Sequence, residues 1–347
     1  MRFSDELVNH IRNNIELSLK LKPDEIANLP QNIKAYPLKE DAFNILSRDL
    51  QNKNLSFIAI DGGNSSVIET NSFILDFVKA SIIEVKNKKT QSIKQASGFI
   101  SASYLKTNKT EASIIKYKVL NYSNNLSNHA PENLMIETLK PSPLELKEAI
   151  NTVRKSIEFN LLKETCKNTK NSVILRDGSL IPNDDSEISL LKEIYEICKT
   201  NNNYIFGISK DSLIYTNYGN HLTSLTYHIS KQNPMLKNKE WSLNIGETVF
   251  QPTIILTIAL LDKRAPICLR IDTFKDFSDK LNLLTLVSNH PAFFGYPYPL
   301  IIADKQARVS NEETRIIKQF IHRVIKSANL TELENFFNSH KFLDTIK

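Results

Sequence analysis

One long helical pattern stands between a block of strand patterns and a single short apolar strand, and that order limits the folds open to this chain more than any other feature. Residues 57–60, 73–85, 97–103 and 113–120 are rich in Ile, Val, Phe, Thr and Ser. Polar connections at 86–89 and 121–128 read as a hairpin loop and a longer solvated excursion. Residues 141–143 then open a helix predicted over about 144–166, whose Leu146, Ile150, Val153, Ile157 and Leu161 recur at steps of three and four. It leads into Val173-Ile174-Leu175, a continuous apolar run of the kind found in a buried parallel strand.

A strand meander, a helix and a strand parallel to the first is the order of an RNase H-like fold. The predicted class is therefore α/β: an RNase H-like mixed sheet flanked by helices, with the first and fourth strands side by side. Those two strands end alike. Residues 57–60 run into Asp61-Gly62-Gly63, and 173–175 run through Arg176 into Asp177-Gly178-Ser179. The chain has 8 glycines in 347 residues, against the ~7 % usual in proteins, yet three of them directly follow these aspartates. Open α/β sheets place their chemistry beyond the carboxyl ends of strands, which makes Asp61 and Asp177 candidates for one shared site. Two adjacent carboxylates repel unless a proton or a metal ion lies between them, and a metal is the expectation. Each aspartate also reads as an ordinary turn residue after a strand.

The helix offers two further acids, Glu158 and Glu164. Glu164 follows Leu161 on the apolar stripe, whereas Glu158 stands ~100° off it, on the flank, in line with Arg154. Glu158 reads either as a ligand overhanging a strand end or as an exposed partner of Arg154. A fourth acid, Asp304, follows Pro299, which suits a helix start and puts Leu300, Asp304 and Arg308 on one face. Asp304 is then a further metal ligand from the last core helix, or half of a surface pair with Arg308. Carboxylates without histidine or cysteine suit a hard cation, Mn²⁺ or Mg²⁺. Two such ions ~3.5–4 Å apart can activate water and stabilise the leaving oxygen of a phosphodiester. Lys210 and Arg308 are candidates to hold DNA phosphates, and either reads equally as a plain surface charge.

Elsewhere, residues 4–21 pattern as an amphipathic helix capped by Ser4, and a second helical piece is predicted over 39–50. Ser186 is the expected cap of a helix over 187–200, and a strand follows at 204–208. Residues 253–261 and 267–272 read as a hairpin, 276–286 as helical, and Ser310-x-x-Glu313 and Thr331-x-x-Glu334 as capping boxes. With no clear linker, one domain over 1–347 is expected: a helical N-terminal extension at 1–50, the core with insertions at 57–308, and C-terminal helices at 310–347.

The charge balance, 44 Lys+Arg against 38 Asp+Glu, is +6 and favours a polyanionic partner. Three well-separated cysteines, Cys166, Cys198 and Cys268, fit a reduced intracellular setting, and a cytoplasmic location is expected. No apolar run approaches the ~20 residues of a membrane span, and the N-terminus has no signal-like apolar core. The phosphate-loop, dinucleotide-binding, nucleophile-elbow and zinc-peptidase motifs are missing from the sequence. A processive activity on DNA would need a separate motor.

From about Phe57 to Arg308 the chain resembles the NurA family of nucleases. The resemblance rests on Ile60-Asp61-Gly62, Arg154 with Glu158, Leu175 to Leu180, Gly207 to Ser212, Leu269-Arg270-Ile271-Asp272 and the 295–308 stretch. It implies that Asp61, Glu158 and Asp177 are manganese-binding acids and that Asp304 takes the C-terminal ligand position. It further implies a homodimeric Mn²⁺-dependent nuclease that degrades DNA ends 5′ to 3′, and leaves single-strand endonuclease activity open as an addition. Such enzymes work with the hexameric ATPase HerA in break-end resection. Gly63 departs from the serine usual in the family, and the Lys- and Asn-rich loops near 87–130 have no evident counterpart. Two other readings stay open: a catalytically silent adaptor that guides DNA for the translocase, and a ribonuclease of the same fold.

Overall fold

The computed structural model describes residues 9, 21–22, 24–47, 55–106, 113–124, 126–130, 136–138, 142–210 and 212–327. Apart from Asn9 and Leu21, the predicted helix over 4–21 lies outside the described residues, as does the Thr331 capping box. The described strands are β1 (Ile33–Ala35), β2 (Phe43–Ile45), β3 (Ser56–Glu69), β4 (Phe73–Lys86), β5 (Lys89–Lys106), β6 (Ser113–Ser123) and β7 (Ile136–Thr138), then β8 (Ser172–Asp177), β9 (Tyr204–Ser209), β10 (Trp241–Thr248), β11 (Ile254–Leu260) and β12 (Leu269–Phe274). The described α-helices are α1 (Pro143–Asn168), α2 (Asp185–Asn201), α3 (Leu222–Gln232), α4 (Tyr298–Ala307) and α5 (Asn311–Ser327). Two compact units result: Met1–Ala59 with Ile83–Ser92 and Thr165–Ile302, and Ile60–Ile82 with Ile93–Glu164 and Ala303–Lys347.

In the first unit the strand order is β1-β10-β11-β12-β9-β8-β3, with β2 also on β10. It is a mixed sheet, as expected: β8 and β9 are parallel, while β10, β11, β12 and β9 pair antiparallel in turn. Every residue of β11 is buried, so this strand is apolar on both faces and reads as a continuous run instead of an alternation. Trp241, fully buried and set edge-on to Phe43 at 4.9 Å, closes the outer end of that core.

The second unit continues β3 and orders it as β3-β4-β5-β6-β7. Val67, Leu75, Phe77 and Phe99 form a core covered by Ile317 and Ile321 of α5. Helix α1 is pinned to the sheet by the Tyr104 hydroxyl, which donates to Ser142 O at 2.6 Å, and by Arg154, which donates to Gly62 O at 2.8 Å.

Several expectations are corrected. Asp61 does not end its strand: β3 runs straight through Asp61-Gly62-Gly63 to Glu69. The glycines there make room for packing, not for a turn. The helix predicted over 39–50 is a 3₁₀ turn, Glu40–Ala42, followed by β2, and residues 48–50 lie outside the description. Helix α2 is capped by Asp184, whose carboxylate accepts from Glu187 N, and not by Ser186. The segment 275–286 is helical as a 3₁₀ run. Ser310 does cap α5, accepting from Glu313 N at 3.1 Å. On α1 the two acids exchange roles: Glu158 is buried, while the Glu164 side chain is 56 % exposed beside His129. Among the described residues no helix is long and apolar enough to cross a membrane.

Candidate active site

In the first unit the fully buried Val173-Ile174-Leu175 run delivers Asp177 as the last residue of β8. The parallel ladder goes one step further, Gly178 N donating to Ile208 O at 2.8 Å. Gly178 then turns away with φ of +110°, a conformation that side chains rarely adopt. Asp177 Oδ2 lies 2.8 Å from Lys210 Nζ and accepts from the Tyr296 hydroxyl at 3.2 Å. The Lys210 ammonium also sits 5.0 Å from the centre of the Tyr296 ring. Lys210 follows directly on the neighbouring parallel strand β9, so the strand pairing itself sets lysine against aspartate.

The turn after Asp177 is fixed from behind by Asp272, which is fully buried. Its Oδ2 accepts from Ser179 Oγ at 2.7 Å and from Leu180 N at 3.1 Å. Arg270 grips the same carboxylate with Nε and Nη2 at 2.9 and 2.8 Å, and Nη2 also reaches Ser179 Oγ at 2.8 Å. A buried carboxylate is tolerated there because its oxygens are met by charge and by hydrogen bonds together.

In the second unit Asp61 Oδ1 accepts from Gly62 N at 2.8 Å. Arg154 Nη1 bridges Gly62 O and Glu158 Oε1. The Arg154–Glu158 pair, expected at the surface in one reading, is therefore folded against β3, with Glu158 only 2 % exposed. A Cβ on Gly62 would stand 2.5 Å from Glu158 Oε1. One residue on, a Cβ on Gly63 would stand 2.5 Å from the carbonyl oxygen of Ala307, so the end of α4 lies on the bare backbone of β3. Ser81 Oγ donating to Ala303 O at 2.9 Å and Gln95 Nε2 donating to Gln306 O at 3.0 Å hold α4 there.

This seating brings a carboxylate oxygen of Asp304 within 4.8 Å of one on Asp61. Arg308 Nη2 donates to Asp304 Oδ2 at 2.9 Å, one turn along α4's direction. Glu158 is not part of that close group. Both basic residues predicted to meet phosphate, Lys210 and Arg308, are thus counter-ions of predicted acids.

A NurA domain model matches residues 55–309. The chain belongs to the NurA family. The match begins at β3 and ends two residues beyond α4, so all four predicted acids lie within the NurA domain. Among solved structures, this NurA chain is similar to the NurA nuclease from Sulfolobus solfataricus, at 15 % identity over 93 % of this chain and 95 % of that one, with a TM-score of 0.49. It is also similar to human ENDOV, at 11 % identity over 89 % and 98 % of the two chains, TM-score 0.39. A third likeness is to Ciona intestinalis Endonuclease V in complex with a 24mer DNA, at 13 % identity over 90 % and 100 %, TM-score 0.36. No curated protein matches the sequence.

The NurA residues that sequence reasoning left without a role are Ser179, Arg270 and Asp272. A signal was present: Arg270 and Asp272 stand two apart in the apolar run 267–274, a spacing that puts both on one side of a strand. Gly207, opposite Asp272 in the ladder, completes the arrangement, since a Cβ there would come within 2.7 Å of Gly178 O.

Proposed function

We propose that the protein is a divalent-metal-dependent DNA nuclease, in which Asp61, Asp177 and Asp304 hold Mn²⁺ or Mg²⁺ and Glu158 supports them from behind Gly62. The observation that carries this reading is the donor set: in the second unit Asp61 and Asp304 offer carboxylate oxygens within 4.8 Å of each other, and in the first unit Asp177 stands as the same type of donor at the end of β8. Oxygen donors alone suit a hard cation. Bound there, such ions supply a nucleophile at neutral pH and offset charge on the phosphodiester.

The protein's own groups have definable tasks. Tyr296 orients the Asp177 carboxylate through its hydroxyl. Arg154 holds Glu158 and the backbone of Gly62 in one grip. Lys210 and Arg308 pair with Asp177 and Asp304, and with those acids engaged by a cation they would be the groups to meet a DNA phosphate. NurA membership supports phosphodiester hydrolysis as the reaction. On the same basis the protein acts on DNA ends with 5′-to-3′ polarity, as a cytoplasmic homodimer working with a HerA-type hexameric ATPase in double-strand break resection.

The test is end-labelled linear DNA, single- and double-stranded, with Mn²⁺, Mg²⁺ or chelator, with and without such an ATPase. Degradation is expected with metal only and is lost in Asp177→Asn. Undiminished cleavage by that variant, or cleavage in chelator, overturns the assignment.

A further inference from the structure

The net positive charge of this chain resides in one stretch of its sequence. Residues 85–130 carry eight lysines against the single Glu111, a net of +7, whereas the whole chain is only +6. The remaining 301 residues are therefore at −1. The stretch forms most of strands β5 and β6, neither of which contains an acidic residue.

Strand geometry sorts its side chains. Lys116, Lys118, Leu120 and Tyr122 alternate along β6 and are exposed, Tyr122 to 69 %. Opposite Lys116 and Lys118 in the ladder stand Ser103 and Ser101, small neutral partners that neither pair with the lysines nor block approach to the sheet. Tyr122 is not a loose side chain: its ring is set edge-on to Phe77 at 5.7 Å and Phe99 at 6.4 Å, which fixes it while leaving it open to solvent. From Lys116 to Tyr122 the strand covers about 20 Å.

The Tyr122 end of this row is tied to the acid-bearing helix. Asn124 donates to Gln95 O, and Gln95 donates to Gln306 O and Oε1 at 3.0 and 2.9 Å. Gln306 lies two residues after Asp304 on α4.

We infer that the exposed face of β6 is a track for single-stranded DNA, with Lys118 and Lys116 meeting successive phosphates and Tyr122 stacking a base next to α4. The inference rests on the nuclease reading for the identity of the strand as a substrate. A lysine row faced by neutral serines of β5 supplies the electrostatic, sequence-independent part of such binding, and a rigid exposed aromatic supplies the sequence-tolerant stacking that single strands offer.

Binding of a labelled 30-nucleotide single strand, measured in chelator by fluorescence anisotropy across a salt series, tests it without any hydrolysis. Lys116→Glu/Lys118→Glu is expected to weaken binding at least tenfold, and the loss of two phosphate contacts should flatten the slope of log affinity against log salt by about 1.4. Tyr122→Ala is expected to weaken binding about tenfold with the slope unchanged. Circular dichroism and melting of each variant confirm the fold. Wild-type affinity and slope in the double-lysine variant overturn the track. Equal losses with a duplex of the same length and no effect of Tyr122→Ala overturn its single-strand character. A wild-type protein that binds as described but hydrolyses nothing in Mn²⁺ leaves the track standing and removes the nuclease reading instead.

Discussion

Replacing Gly63 by alanine tests the seating of α4 with one added carbon. The new Cβ would stand 2.5 Å from Ala307 O, about 0.9 Å inside the 3.4 Å at which ordinary contact begins. The obstacle is backbone, and α4 cannot tilt freely, because Ser81 holds Ala303 O and Gln95 holds Gln306. Overpacking of this kind costs about 1–3 kcal/mol, read as a shift in urea unfolding midpoint at constant slope. Whatever displacement relieves it also carries Asp304, three residues before Ala307, away from Asp61. A misplacement of ~1 Å at a reacting centre costs on the order of 100-fold in rate. Gly63→Ala is therefore expected to lose stability and most Mn²⁺-dependent cleavage together, and Gly63→Ser, the residue usual in the family, to behave likewise in this chain. Wild-type midpoint and rate in both variants refute the reasoning, for they would mean that α4 does not rest on β3 at this point.

Asp177→Asn should abolish metal-dependent cleavage with a change of less than ~1 kcal/mol in stability, since the half-exposed Lys210 pair it loses is weak; a large destabilisation would show that the carboxylate is structural. Asp272→Asn should cost about 3–5 kcal/mol in urea unfolding, because the largely buried Arg270 charge loses its partner, and a cost below 1 kcal/mol refutes the role given to this pair. Burial raises the pKa of Asp76 on β4 above 3.8, so the folded state binds this proton more tightly than the unfolded chain does. Its stabilisation is complete below pH 3.8 and is lost as pH rises through the folded-state pKa. Asp76→Asn should then raise the melting temperature at pH 7 and not below pH 3.8, and a pH-independent difference contradicts this.

The fold was legible where apolar patterns are local. The α1 stripe and the Val173–Leu175 run each satisfy a single period, and their order places β8 beside β3. Helix α3 and strand β10 were not recognised, because 209–246 mixes Tyr, Asn and His with apolar residues and neither period dominates. Asp61 and Asp177 were visible as strand residues followed by glycine, and Glu158 and Asp304 by their places on helices, but the environment of each was not. Glu158 looked like a flank residue because one stripe was assumed to face the core; α1 is buried on a wider arc, taking in Ile157, Glu158 and Phe159 in succession. Partners such as Ser179 and Asp272, 93 residues apart, leave no period to detect.

The glycines explain why the pattern misled at Asp61 and not at Asp177. Gly178 has positive φ and ends a strand, which is the role a turn glycine plays. Gly62 and Gly63 stay within an extended strand, and what they provide is the missing Cβ. At Gly62 the space is taken by the end of the Glu158 side chain, and at Gly63 by the backbone of α4. A side chain end can shift if Arg154 releases it, whereas a helix terminus moves only as a body. Substitution at Gly62 should therefore disturb Glu158 and its Arg154 grip without moving α4, while substitution at Gly63 disturbs Asp304 and everything else that α4 carries. Two adjacent residues of the same type thus separate the contribution of Glu158 from that of Asp304, which neutralising substitutions of the acids themselves cannot do without also removing charge.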